Sequence, residues 1–158
     1  MGTISGSAAT EIEAPIDDVY AVAADGEGAP RWQSEIQVAE CLERDADGEQ
    51  LRVRMETETP VKRLGSTLRY SYQAPNRVSW IQEDGDLKSV TGSWELEDLG
   101  GDRTRATYTL EVDPGRILGM AMRGPLVGVL RGRMVDSMPG KLKDFVEAGA
   151  GYGDEAEA

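Results

Sequence analysis

A chain of 158 residues, 39% of them hydrophobic, is long enough to bury a sizeable core as one domain. Its formal net charge of −12 argues against a nucleic-acid surface, which needs a basic stripe to neutralise phosphates. Having no histidine, it can form neither a Ser-His-Asp nor a Cys-His triad, and its single cysteine, Cys41, supports neither an internal disulfide nor a thiolate metal centre.

In chain order, Ile4, Ala8, Thr10 and Ile12 lie on one side of a first strand that ends at Ala14. Pro15 suits the first turn of a helix, and Asp17 and Asp18 fall near its positive end. Ile16, Val19, Tyr20 and Ala23 give that helix an apolar face, Gly26 and Gly28 stop it, and Pro30 opens a second short turn carrying Trp32.

Six segments of period two follow, from Ile36 to Val112, broken by turns such as Asp45-Ala46-Asp47-Gly48 and Gly100-Gly101-Asp102. Their expected inward sets are Ile36, Val38, Glu40, Leu42, then Leu51, Val53, Met55, then Leu68, Tyr70, Tyr72. Val78 and Trp80 come next, followed by Val90, Gly92, Trp94, Leu96 and by Ala106, Tyr108, Leu110, Val112. The opposite parity carries both signs of charge, including Arg52, Arg54, Glu95 and Glu111, which reads as a solvated face.

Only one long helical pattern remains, after Pro114. On a wheel of 100° per residue, Leu126, Leu130, Met134, Met138, Leu142 and Phe145 form one stripe with Arg131 inside it, and Arg133, Asp136, Lys143 and Glu147 fall opposite. Pro139-Gly140 predicts a kink or break. Gly124, Gly128 and Gly132 form either a flat ridge for close backbone approach or a weak helix start. A helix is roughly 10 Å wide, whereas seven strands at about 4.8 Å spacing span roughly 34 Å. The sheet must therefore curl around the helix, and a hollow between them is expected.

Charge is uneven. Residues 1–113 carry 11 basic and 23 acidic side chains and residues 114–148 carry six and three, so the helical region is a basic band on an acidic body. The start Met1-Gly2-Thr3-Ile4 has no basic, apolar leader pattern, and with the lone cysteine this points to the cytoplasm. Arginines at 116, 123 and 131 interrupt the most apolar stretch, so no membrane span is expected. Residues 149–158 read as a disordered acidic tail after a single domain of residues 1–148.

The run Glu11-Ile12-Glu13-Ala14-Pro15-Ile16-Asp17-Asp18-Val19-Tyr20, with Trp32 beyond it, resembles the opening of the START-like or SRPBCC (Bet v 1-like) superfamily. The hairpin from Gly92-Ser93-Trp94-Glu95-Leu96 to Arg105-Ala106-Thr107-Tyr108 resembles it too, most nearly its polyketide cyclase/dehydrase or coenzyme Q-binding branch. The resemblance, covering roughly residues 4 to 148 in pattern, implies an α+β helix-grip fold: a seven-stranded curved antiparallel sheet around a long C-terminal helix, with two short N-terminal helices and a hydrophobic cavity between sheet and helix. That fold hosts lipid binders, aromatase/cyclases and protein-interaction modules, so function must come from the site.

Expected ligand contacts are Trp32, Val38, Glu40, Val53, Met55, Tyr70, Tyr72, Trp80, Trp94, Tyr108, Met120, Leu130, Arg131, Met134 and Met138. Glu40, Arg131 and Tyr72 are the catalytic candidates. Glu40 either points into the hollow, where desolvation would tune it for proton transfer, or reaches water near an edge. Arg131 either binds a ligand carboxylate or snorkels past the helix edge. The aromatics either fill the core or line the pocket, and the segment of Ile117, Leu118, Met120 and Met122 is expected to gate the entrance. The expected function is binding of a hydrophobic or amphipathic small molecule, with no cofactor and no metal. The alternatives are an aromatase/cyclase served by an acyl carrier protein on the basic band, or an interaction module; a homodimer is a further option. An interior without a pocket above about 300 Å³ would favour the interaction module.

Overall fold

The computed structural model describes residues 3–60, 62–121 and 124–149. The seven strands are β1 (Ile4–Ile12), β2 (Ile36–Arg44), β3 (Gln50–Glu58), β4 (Arg63–Gln73), β5 (Arg77–Gly85), β6 (Ser89–Gly100) and β7 (Arg103–Asp113). They form one antiparallel sheet in the order β1-β7-β6-β5-β4-β3-β2. Helix α1 (Ile16–Ala23) and a 3-10 turn (Ala29–Arg31) carry the chain from one edge strand to the other. After β7 come α2 (Gly115–Ala121), α3 (Pro125–Arg131), a π turn (Gly132–Asp136) and α4 (Met138–Glu147). This is the expected helix-grip architecture.

Alternation predicted the strands because each has one wet and one dry face. Along β7, Thr104, Ala106, Tyr108, Leu110 and Val112 are all buried, while Arg105, Thr109 and Glu111 have polar surroundings or solvent. Cross-strand partners keep the parity: Trp94 lies opposite Tyr108 and Tyr70 opposite Trp80. The outer face is held by ion pairs such as Arg52 and Arg69 to Glu83 and Arg77 to Glu95.

Strand β2 departs from the expectation. A register shift between Ile36 and Val38 sets Gln37 out of the ladder, and Val38 then pairs with Glu56, Ala39 with Met55, Glu40 with Arg54 and Cys41 with Val53. One extra residue reverses which side chains face inward. Ala39 and Cys41 therefore follow the apolar side of Met55 and Val53, whereas Glu40 and Leu42 are exposed. The inward placement of Val38, Glu40 and Leu42 is corrected accordingly.

The facing of side chains along the C-terminal helical segment is also corrected. The five-residue π turn adds residues to one turn, and counting at 100° per residue loses register there. Val135 becomes fully buried, and Arg131 is exposed, its Cδ about 3.9 Å from the side-chain position at Gly6 of β1. The predicted break lies at Ser137, because Pro139 sits in the first turn of α4, where its missing N–H costs nothing. The glycine ridge does not pack: side-chain positions at Gly124, Gly128 and Gly132 meet nothing within 4 Å. Gly124 has φ of 62°, a conformation suited to glycine, and starts α3.

The helical segment packs along β1 and β7. The approach is close at Gly6, where Val135 Cγ1 lies 3.4 Å from the position a Cβ would take, an ordinary van der Waals contact. Leaning to that side leaves space over the middle of the sheet. Within the described residues, no helix is long and apolar enough to cross a membrane. Apart from Gly149, the tail expected at residues 149–158 falls outside the described residues.

Candidate functional site

A row of aromatic rings crosses the concave face. Trp32 meets Trp94 with centroids 6.2 Å apart, Trp94 meets Tyr108 at 4.7 Å, Tyr108 meets Trp80 at 5.9 Å, Trp80 meets Tyr70 at 5.7 Å, and Tyr70 stacks on Tyr72 at 6.0 Å. Trp80 on β5 and Tyr108 on β7 are separated by β6. They touch because Gly92 of β6 leaves the space between them: a Cβ there would lie 2.5 Å from Trp80 Cε2. The small residue in an otherwise bulky alternation is thus what lets the ring row close.

Between this row and the helix is a chamber of about 160 Å³, mainly apolar, touched by side chains from β2 to β7 and by Met134 and Met138. Alone it falls below the 300 Å³ mark under which an interaction module is favoured, because methionines and three tryptophans occupy much of the hollow, and only with the wider opening beside it does the space pass that mark. Glu35, Thr57, Thr59, Arg133 and Met134 line both this chamber and a wider vestibule of about 560 Å³, bordered by residues 57–60 and by Leu130, Ser137 and Lys141. The shared lining places the two spaces end to end.

Polar groups gather where they meet. The Glu35 carbonyl accepts the Glu58 N–H at 2.8 Å, and its carboxylate pairs with Lys141 of α4. The other carboxylate oxygen, Glu35 Oε1, is buried without a hydrogen-bond partner among the described residues. Deeper in, burial pushes the phenols of Tyr70 and Tyr108 well above the ordinary tyrosine range, with the charge of Glu35 adding to the effect at Tyr108. These hydroxyls stay protonated near neutrality, so what they can offer is a donor and not a base.

Of the expected contacts, Trp32, Met55, Tyr70, Trp80, Trp94, Tyr108, Met134 and Met138 line the chamber together. Leu130 borders only the vestibule, and Val53 is fully buried in the core beside Gly26. Val38, Glu40 and Arg131 are carried away by the β2 bulge and the π turn. Tyr72 is half-buried at the end of the ring row and donates to the Gln50 carbonyl at 2.6 Å; burial, then the charge of Glu49, raises its pKa. None of the three catalytic candidates lines the chamber.

Met120 is 62% exposed and Ile117 82% exposed, and neither lines the chamber; α2 covers the sheet through Leu118 instead. Met122 lies outside the described residues. Sequence reasoning missed Glu35 and Arg133. Glu35 precedes the first alternating residue of β2, and Arg133 falls on the polar side of an ideal wheel, so neither carried a signal without the tertiary structure.

The sequence and geometry agree with the comparisons. The chain belongs to the family described as polyketide cyclase / dehydrase and lipid transport, whose model matches residues 12–139. Among solved structures, a START superfamily protein from Mycobacterium smegmatis superimposes with a TM-score of 0.80 at 24% identity, covering 93% of this chain and 99% of that one. A protein from Thermus thermophilus does so at 0.77 and 23% identity, covering 92% and 99%. The Zhui aromatase/cyclase from Streptomyces sp. R1128 follows at 0.63 and 19%, covering 93% and 84%. At these identities the likeness establishes the fold. A search of curated proteins finds no match.

Proposed function

We propose that this protein binds a hydrophobic or amphipathic small molecule, lipid or polyketide-like, with its apolar part in the chamber between sheet and helix. The observation that carries the reading is the aromatic-lined apolar chamber continuing into an open vestibule. A cavity of about 150 Å³ is enough to hold benzene, so the chamber takes one ring or a short chain and the vestibule takes the rest. Affinity would come from apolar burial at roughly 25 cal/mol per Å², less the cost of association. The reading includes one domain of residues 1–148 working in the cytoplasm.

A second reading, supported by the family description and by the aromatase/cyclase among the structural neighbours, is cyclisation of a carrier-bound polyketide chain. Shape and proximity would do most of that work, with Tyr70 and Tyr108 as donors and the basic band receiving an acidic carrier protein.

Native mass spectrometry of protein purified from its own host separates the two. A co-purifying hydrophobic molecule released on denaturation is the expected result. An empty protein that cyclises a poly-β-keto thioester supports the second reading, and an empty protein that retains nothing from a host lipid extract defeats the first.

A further inference from the structure

The vestibule is lined by two cations, Arg133 and Lys141, and two acids, Glu35 and Glu58. Both acids are engaged: Glu35 with Lys141 and Glu58 with Arg63 at 2.9 Å. Arg133 is left as the cation of this lining without an ion pair among the described residues. It also lines the inner chamber, so one exposed arginine stands where an apolar compartment opens to water.

We infer that Arg133 is an anion anchor, and that the ligand is a carboxylic acid whose ring or short chain fills the chamber while its carboxylate meets Arg133. This rests on the small-molecule reading above and adds the ligand's head group to it. The π turn is what brings Arg133 to this position, since an ideal wheel places it opposite the buried stripe. A guanidinium offers a planar fork that matches a carboxylate through two parallel hydrogen bonds. One unpaired cation matches a singly charged head better than a phosphate. The field agrees: on a chain of net charge −12, the segment 114–148 carries a local positive excess, so an anion is repelled from most of the surface and tolerated here. Glu35 opposes such a ligand, and its pair with Lys141 moderates that opposition.

The test compares 3-phenylpropanoate with 3-phenylpropanamide, equal in shape and different in charge, by ligand-detected NMR titration at low salt. The acid is expected to bind about tenfold more tightly, the gain of a charge-assisted hydrogen-bonded pair. Arg133→Met is expected to bring the two within about twofold, Arg133→Lys to keep part of the preference, and Glu35→Gln to keep or raise it. Equal affinities in the unaltered protein overturn the anchor and leave the small-molecule reading standing, as does a preference that survives Arg133→Met. Failure of both probes to bind also overturns the anchor, while the small-molecule reading is decided separately by the host-extract experiment. The unaltered protein alone decides the first outcome, whatever a variant's folding, and melting curves of each variant accompany the titrations.

Discussion

The aromatic half of the sheet and the helical segment after Pro114 face the same chamber and are built by opposite rules. In the sheet, five side chains from four neighbouring strands and one from the connection after the 3-10 turn form an unbroken row of rings, and the one glycine among them, Gly92, is there to be covered. In the helical segment, Gly124, Gly128 and Gly132 are covered by nothing, Ile117, Met120 and Val129 are exposed, and the helix changes its pitch at residues 132–136. The comparison teaches that the chamber has one rigid wall and one loosely specified wall, and that its polar equipment sits on the seam between them.

Substitutions break that comparison to different degrees. The largest effect is expected at Trp94, fully buried and in ring contact with both Trp32 and Tyr108: Trp94→Ala should cost about 3–5 kcal/mol, read by urea or thermal unfolding. A cost under about 1 kcal/mol would show that the ring row is not a rigid wall. Next comes Gly92→Ala, whose new methyl meets the Trp80 ring at 2.5 Å and should cost about 1–3 kcal/mol while shifting tryptophan fluorescence. The same exchange on the other wall should have the opposite sign. Gly128→Ala, in open space within α3, is expected to stabilise by about 0.5–1 kcal/mol, visible as a raised melting temperature.

The smallest effect concerns the outer face. Hydrogen bonds from Arg52 and Arg69 hold the Glu83 carboxyl below its ordinary range. Its folded-state pKa is therefore depressed, so its contribution is fully present above the unfolded carboxylate value and is lost as pH falls through the folded one. Melting temperature measured from about pH 6 down to about pH 3 should fall less steeply in Glu83→Gln than in the unaltered protein. Parallel curves would remove this group from the acid response.

Legibility follows the same division. The strands could be read because period two is a local property of residues such as Val53, Met55 and Leu110, and the family resemblance rested on a local run from Glu11 to Tyr20. The candidate site was half legible. Tyr70, Trp80, Trp94 and Tyr108 reach the chamber as their parity predicts, and Trp32 joins them from the turn after Pro30. Glu40 and Arg131 do not, and each miss has one cause: an inserted residue at Gln37 reverses parity, and a π turn rotates the wheel.

The amino-acid order by itself decided that seven strands form, that one helical segment must cover them, and that the interior is apolar and aromatic, because alternation and hydropathy act over a few residues. Only the tertiary structure decided how large the hollow is and which charges stand at its mouth. Those depend on a bulge, a π turn and a helix leaning toward β1 at Gly6, and each is settled by packing between residues far apart in the chain.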